Sequence, residues 1–146
     1  MLKIGRDEYK IEDVLAIQFM EDQIKLVDSN HDIHMYTKED VPDFKAEFKH
    51  CRGKLYKNTF VIDNQLIIKI MRIHSIVKIG TDKIRIRYGY RLHEEFEVIA
   101  KNELVRDKIY NYYNKQIKAF FRQPTRSESK QFDLVELTEQ EFKMRG

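Results

Sequence analysis

The chain has 146 residues, of which 42% are hydrophobic and 35% are charged, and its formal net charge is +3. No apolar run approaches the roughly 18 residues of a membrane-spanning helix, and the first residues lack the apolar core of a secretory signal peptide. Cys51 is the only cysteine, which excludes an internal disulfide framework and suits a reducing compartment. We therefore expect a cytoplasmic protein made of one domain or two closely packed halves.

The first half, residues 1–53, predicts a β-meander that ends in a helix. Short segments with period-two hydrophobicity alternate with turn residues, and they cover residues 2–4, 9–11, 14–19, 24–26 and 33–36. The spacing then changes, because Val41, Phe44 and Phe48 lie three and four residues apart, on one face of a helix. Asp40 is the expected N-cap, with Pro42 in the first turn.

The second half, residues 54–122, follows the same plan. The predicted strands cover residues 60–62, a long β-branched stretch at 66–79, then 84–88 and 96–99. Asn102 is the expected N-cap of a long amphipathic helix that Pro124 ends.

The two halves align at an offset of about sixty residues, where Asp22–Leu26 matches Asp82–Ile86. The sequence therefore predicts an α+β fold that is mainly antiparallel β, with two similar β-meander-plus-helix halves and a long second helix. Residues 1–122 would form this β-rich domain.

The C-terminal region differs in composition from the rest of the chain. Residues 123–131 are polar and predict a linker, and residues 132–146 predict a short strand and a short helix, with capping-box spacing at 138–141. Such an extension would pack on its own domain or on a partner subunit, so a homodimer is possible.

Catalytic and metal-binding motifs are missing from the sequence, which contains no nucleophile elbow, P-loop, dinucleotide fingerprint or zinc-protease motif. His31 and His34 fall in or beside a predicted loop without a cysteine cluster nearby, and a His50–Cys51 pair sits at a predicted helix end. We expect no enzyme activity, no metal and no cofactor.

Basic residues concentrate in the second half. Lys83, Arg85 and Arg87 lie on one face of a predicted strand, opposite Ile84 and Ile86. With the helix that follows, they predict a basic surface: Lys83, Arg85, Arg87, Arg106, Lys115, Lys118 and Arg122. This surface is either a solvated face or a surface that contacts phosphates.

Several segments together resemble the LytTR DNA-binding domain of bacterial response regulators. Ile11–Gln18 is similar to the family's early strand segment, and residues 40–50 lie where its short helix would be. Leu55–Asp63 is similar to the family's signature, and Val98–Asn102 to its closing strand and loop. The match covers residues 1–113. Leu55 and Lys57 replace the signature's Arg and His, and Asp63 replaces its final Asn.

The resemblance implies a β-scaffold of about ten strands that inserts loops into successive major grooves of duplex DNA. Lys57, Asn58, Lys101 and Asn102 would then contact bases or backbone, because an amide both donates and accepts while lysine donates. The implied function is sequence-specific, non-enzymatic DNA binding by a transcriptional regulator.

Two other functions remain open. A pleckstrin-homology-like module would place a β-barrel beneath a capping helix at 103–121 and bind a protein or an anionic headgroup at Lys83, Arg85 and Arg87. The composition also fits a small phage- or mobile-element-encoded inhibitor that binds a host protein.

Overall fold

A computed structural model describes residues 1–55, 59–62, 65–88 and 94–121 of the chain. In this part of the chain the fold is α+β and mainly antiparallel β, as the sequence predicts. The predicted linker at 123–131 and the strand and helix within 132–146 lie outside the described residues.

The same succession of elements occurs in both halves: two strands, a short 3₁₀ helix, three strands and an α-helix. The first half contains β1 (Leu2–Ile4), β2 (Asp7–Tyr9), a 3₁₀ helix (Ile11–Asp13), β3 (Val14–Phe19), β4 (Gln23–Asp28), β5 (Ile33–Thr37) and α1 (Phe44–Lys54). The second contains β6 (Thr59–Ile62), β7 (Leu66–Lys69), a 3₁₀ helix (Ile70–Arg72), β8 (Ile73–Ile79), β9 (Lys83–Tyr88), β10 (Glu94–Ile99) and α2 (Glu103–Phe121).

Two local expectations need correction. The stretch at 66–79 is not continuous, because the 3₁₀ helix at Ile70–Arg72 separates β7 from β8 and lets them join different sheets. The N-cap of α1 is Asp43, whose side chain accepts a hydrogen bond from the backbone N–H of Ala46 at 3.2 Å. Asp40 instead accepts from the backbone N–H of Thr37 at 3.0 Å and closes the turn after β5.

The strands form three antiparallel sheets, and the central one combines both halves. Its order is β5-β4-β3-β7-β6, so the β6–β7 hairpin of the second half extends the meander of the first. Ile17 in β3 pairs with Ile67 in β7. The other sheets are β1-β2 and β10-β9-β8.

Apolar cores cover both faces of this central sheet. Val61 and Ile67 face a core shared with the β1–β2 hairpin and α1. Their neighbours Phe60 and Ile68 face the opposite core, which is shared with the β8–β10 sheet and α2. Because successive strand residues point to opposite faces, the continuous apolar runs in β6 and β7 mark strands covered on both sides.

Helix α2 closes the second core. The Tyr113 hydroxyl donates a hydrogen bond to the carbonyl of Val61 in β6, and Arg106 reaches the carbonyls at the end of β8. The helix therefore bridges the edges of two sheets.

Candidate nucleic-acid interface

Lys57 and Asn58, the contact residues predicted from the signature-like segment, lie outside the described residues. On either side of them, α1 ends at Lys54, Leu55 is buried, and β6 begins at Thr59. Thr59 pairs with Lys69 in β7.

Lys101 and Asn102 occupy the junction between β10 and α2, and both are exposed. The Asn102 side-chain oxygen accepts a hydrogen bond from the backbone N–H of Val105 at 2.9 Å, which confirms the predicted N-cap. With that oxygen engaged, the amide NH₂ of Asn102 still has two N–H groups that can donate hydrogen bonds. Asn102 therefore suits phosphate or carbonyl acceptors better than the paired donor and acceptor of an adenine edge.

The junction lies beside the turn that joins β6 to β7. Gln65 donates from Nε2 to the carbonyl of Ile99 at 2.7 Å and accepts from the Ile99 N–H at 3.0 Å. The carbonyl of Gln65 also accepts from the N–H of Phe19 at 2.7 Å. Lys101 is therefore held near the ends of β3 and β10.

The described residues that flank the two predicted contact regions lie at opposite ends of the β6–β7 hairpin. The connection to Asn58 enters β6 at Thr59, whereas Gln65 and the neighbouring Lys101 lie at the opposite end of the hairpin, beyond the Ile62–Leu66 pair. Three residue steps along β6 separate these ends by about 10 Å. Thr59 and Gln65 therefore mark opposite ends of the β6–β7 hairpin.

The basic residues of β9 are largely neutralised by carboxylates across the sheet. Glu97 pairs with Arg85 at 3.1 Å, and Glu95 lies 3.2 Å from Arg85 and 2.9 Å from Arg87. These contacts follow from the register, which places Glu97 opposite Arg85 and Glu95 opposite Arg87. The sequence predicts three exposed cations on this face of β9. In the structure, the charges of Lys83, Arg85 and Arg87 face at least two carboxylates of β10, Glu95 and Glu97.

Arg106 does not belong to an exposed basic surface, which corrects the sequence-based assignment. Its side chain is only 5% exposed. It donates to the carbonyl of Gly80 at 2.9 Å and to Asp107 at 2.7 Å. The hydrogen bond from Arg106 to Asp107, with the positive charge of Lys78 nearby, holds the pKa of Asp107 below its ordinary value. Arg106 joins α2 to the β8–β9 turn.

Lys115 and Lys118 do lie on the outward face of α2, opposite its buried stripe. Neither has an ion-pair partner within the described ranges. Arg122, predicted to extend this surface, lies outside the described residues.

A second basic surface, which the sequence analysis missed, surrounds α1. Phe19, Phe44 and Phe48 form an edge-to-face cluster, with ring centroids 6.4 Å and 5.1 Å from Phe19. They line a cavity of about 430 Å³ whose rim carries basic side chains from α1: Lys45, Lys49 and Arg52. We call this cavity the α1 groove. The spacing of these cations, four and three residues along a helix, was the signal that could have found it.

The residues considered for catalysis or metal binding have structural surroundings. Cys51 is fully buried, and burial with the nearby Glu47 carboxylate raises the pKa of its thiol, which disfavours the nucleophilic thiolate. His34 Nε2 lies 2.9 Å from Asp28 Oδ2. Within the described ranges, no three His, Cys, Asp or Glu side chains cluster as metal ligands.

Comparisons with known proteins give no match to a family model, to a curated protein or to a solved structure. Neither α1 nor α2, the two α-helices of the described ranges, is long and apolar enough to cross a membrane.

Proposed function

We propose that this protein is a non-enzymatic, sequence-specific DNA-binding protein of LytTR-like type that regulates transcription in the cytoplasm. The observation that carries the proposal is the placement of the signature-like segment. Phe60, Val61 and Ile62 belong to β6, and all three are buried. The segment thus anchors in the central sheet, and Lys57 and Asn58 come directly before this strand in the sequence.

The succession of elements also supports the proposal. The resemblance implies a strand pair, an early strand segment, a hairpin, a short helix and then the signature strand. The described chain has β1–β2, β3, the β4–β5 hairpin, α1 and β6 in that order, and ten strands in its described ranges.

Two contact segments carried by one β-scaffold suit duplex DNA as a ligand. In this proposal Lys57 and Asn58 contact DNA from one end of the β6–β7 hairpin, while Lys101 and Asn102 contact it from the other. Lys115 and Lys118 add attraction to phosphates. Arg85, Arg87 and Arg106 have no part in the interface, because their charges are already paired.

The test is binding of fluorescent mixed-sequence duplex DNA, measured by anisotropy between 50 and 200 mM salt on the full chain. Each phosphate contact contributes a slope of about −0.9 to log K against log salt. We expect binding at low salt, a steep salt dependence and, after sequence selection, a preferred site. No binding at 50 mM salt would contradict the proposal.

One observation favours a pleckstrin-homology-like protein-interaction module as the second candidate. The core between the β6–β7 hairpin and the β8–β10 sheet is closed by α2, as expected for a barrel capped by the helix at 103–121. An anionic headgroup at Arg85 and Arg87 is disfavoured because Glu95 and Glu97 occupy them. A protein partner without DNA binding in the same titration would favour this candidate.

A further inference from the structure

The α1 groove combines an aromatic floor with a cationic rim. Phe19 and Phe48 are buried beneath it, and Phe44 is half-buried. Lys45 and Lys49 on the rim are exposed and have no ion-pair partner within the described ranges. A single carboxylate, that of Glu21, shares the lining.

Such a site selects a ligand that carries both apolar side chains and carboxylates. Aromatic rings stabilise apolar groups by burial, and lysines on the rim attract carboxylates and reject cations. An acidic, amphipathic peptide segment meets both requirements.

The chain itself contains a segment with this chemistry, at residues 132–142. Its apolar residues are Phe132, Leu134, Val135, Leu137 and Phe142. Its charged residues are all acidic: Asp133, Glu136, Glu139 and Glu141. Four negative charges without a lysine or arginine contrast with the basic character of the rest of the chain.

We propose that the α1 groove binds this acidic C-terminal segment of the same chain. The ten residues at 122–131 connect it to the end of α2. Fully extended, the connection reaches at most about 36–40 Å, comparable to the diameter of a domain of this size, on the order of 35 Å. The tether gives the segment an effective concentration near the millimolar range, so a shallow groove suffices. The contact is independent of DNA binding.

Another exposed apolar patch is less suitable for this segment. Ile33 and Met35 on edge strand β5 are 50% and 45% exposed. The nearby cation, Lys25, lies over the Phe96 ring with its Nζ 5.2 Å from the centroid. The patch therefore offers apolar area without the pair of unpartnered lysines that the four carboxylates require.

The experiment uses the full chain with the photo-crosslinker p-benzoylphenylalanine at position 132, irradiated at low micromolar concentration and digested for mass spectrometry. We expect cross-links within one chain to α1 or to the residues around Phe19. The double variant Lys45→Glu, Lys49→Glu should lower the yield at least fivefold. The matched control Lys3→Glu, Lys54→Glu changes the same charge at residues that do not line the groove, and should leave the yield within twofold.

A charge swap tests the specificity of the contact. Adding Asp133→Lys and Glu136→Lys to the Lys45→Glu, Lys49→Glu variant should restore most of the cross-linking. Circular dichroism checks that each variant is folded. Cross-links between two chains, cross-links to β5, or an unchanged yield in the groove variant would overturn the proposal.

Discussion

At the scale of single residues, the partners of each basic side chain decide its role more than its charge does. Arg85, Arg87 and Arg106 carry the same charge as Lys115, but carboxylates or backbone carbonyls engage all three arginines. Exposed ion pairs contribute little to folding stability, yet a paired cation is less able to bind a phosphate group.

Lys101→Ala should weaken DNA binding and lower the magnitude of the salt slope by about 0.9, because one phosphate or base contact is lost. Anisotropy titrations over the same salt range measure both quantities. Lys3→Ala removes an equal charge from the outer face of β1 and should leave the slope unchanged. Equal effects of the two variants would show that Lys101 acts only through net charge.

Arg106→Ala should destabilise the fold by about 2 kcal/mol, because it removes hydrogen bonds from a charged donor to the β8–β9 turn and to Asp107. Urea denaturation followed by circular dichroism measures the loss. Lys115→Ala, an exposed change on the same helix, should stay within about 0.5 kcal/mol. A neutral result for Arg106→Ala would argue against its role in joining α2 to the sheet.

At the scale of elements, the periodicity of the strands and the residues that cap helices predict much of the secondary structure from the sequence. β3 spans residues 14–19 as predicted, and Asn102 caps α2. The cap of α1 was placed three residues too early, because Asp40 and Asp43 have equivalent chemistry and the choice depends on the turn after β5.

Asn102→Ala should cost about 1 kcal/mol of folding stability through loss of the cap, while Asn102→Ser should retain most of it. Thermal denaturation gives the stability, and anisotropy gives DNA affinity for the same proteins. If Asn102 also donates to DNA, both variants should bind more weakly. Full affinity in the serine variant would limit Asn102 to capping.

At the scale of the whole molecule, the halves do not stand as separate modules, because β7 pairs with β3 inside one sheet. Each half also lends apolar residues to the other's core: Ile67 packs with the first half, and Val27 with the second. Such a shared sheet predicts cooperative unfolding.

Ile67→Ala should cost about 2–5 kcal/mol, because this fully covered side chain sits where the halves join. Urea unfolding monitored by circular dichroism and by tyrosine fluorescence should give coincident transitions in the parent and in the variant. The exposed change Ile33→Ala is the control, with a small expected cost. Two separated transitions in the parent protein would show that the halves fold independently.

By itself, the sequence determined the local structure and its repetition, since alternation, helical spacing and turn residues are properties of neighbours along the chain. The sixty-residue offset between the two similar halves, the strands and the long second helix all follow from these local patterns. Only the tertiary structure decided that β7 pairs with β3. It also decided that Glu95 and Glu97 neutralise the arginines of β9, and that Phe19 packs against Phe48 of α1. Those contacts join segments that are far apart in the sequence, and hydrophobic pairing is too unspecific to choose among the alternative contacts from the sequence alone.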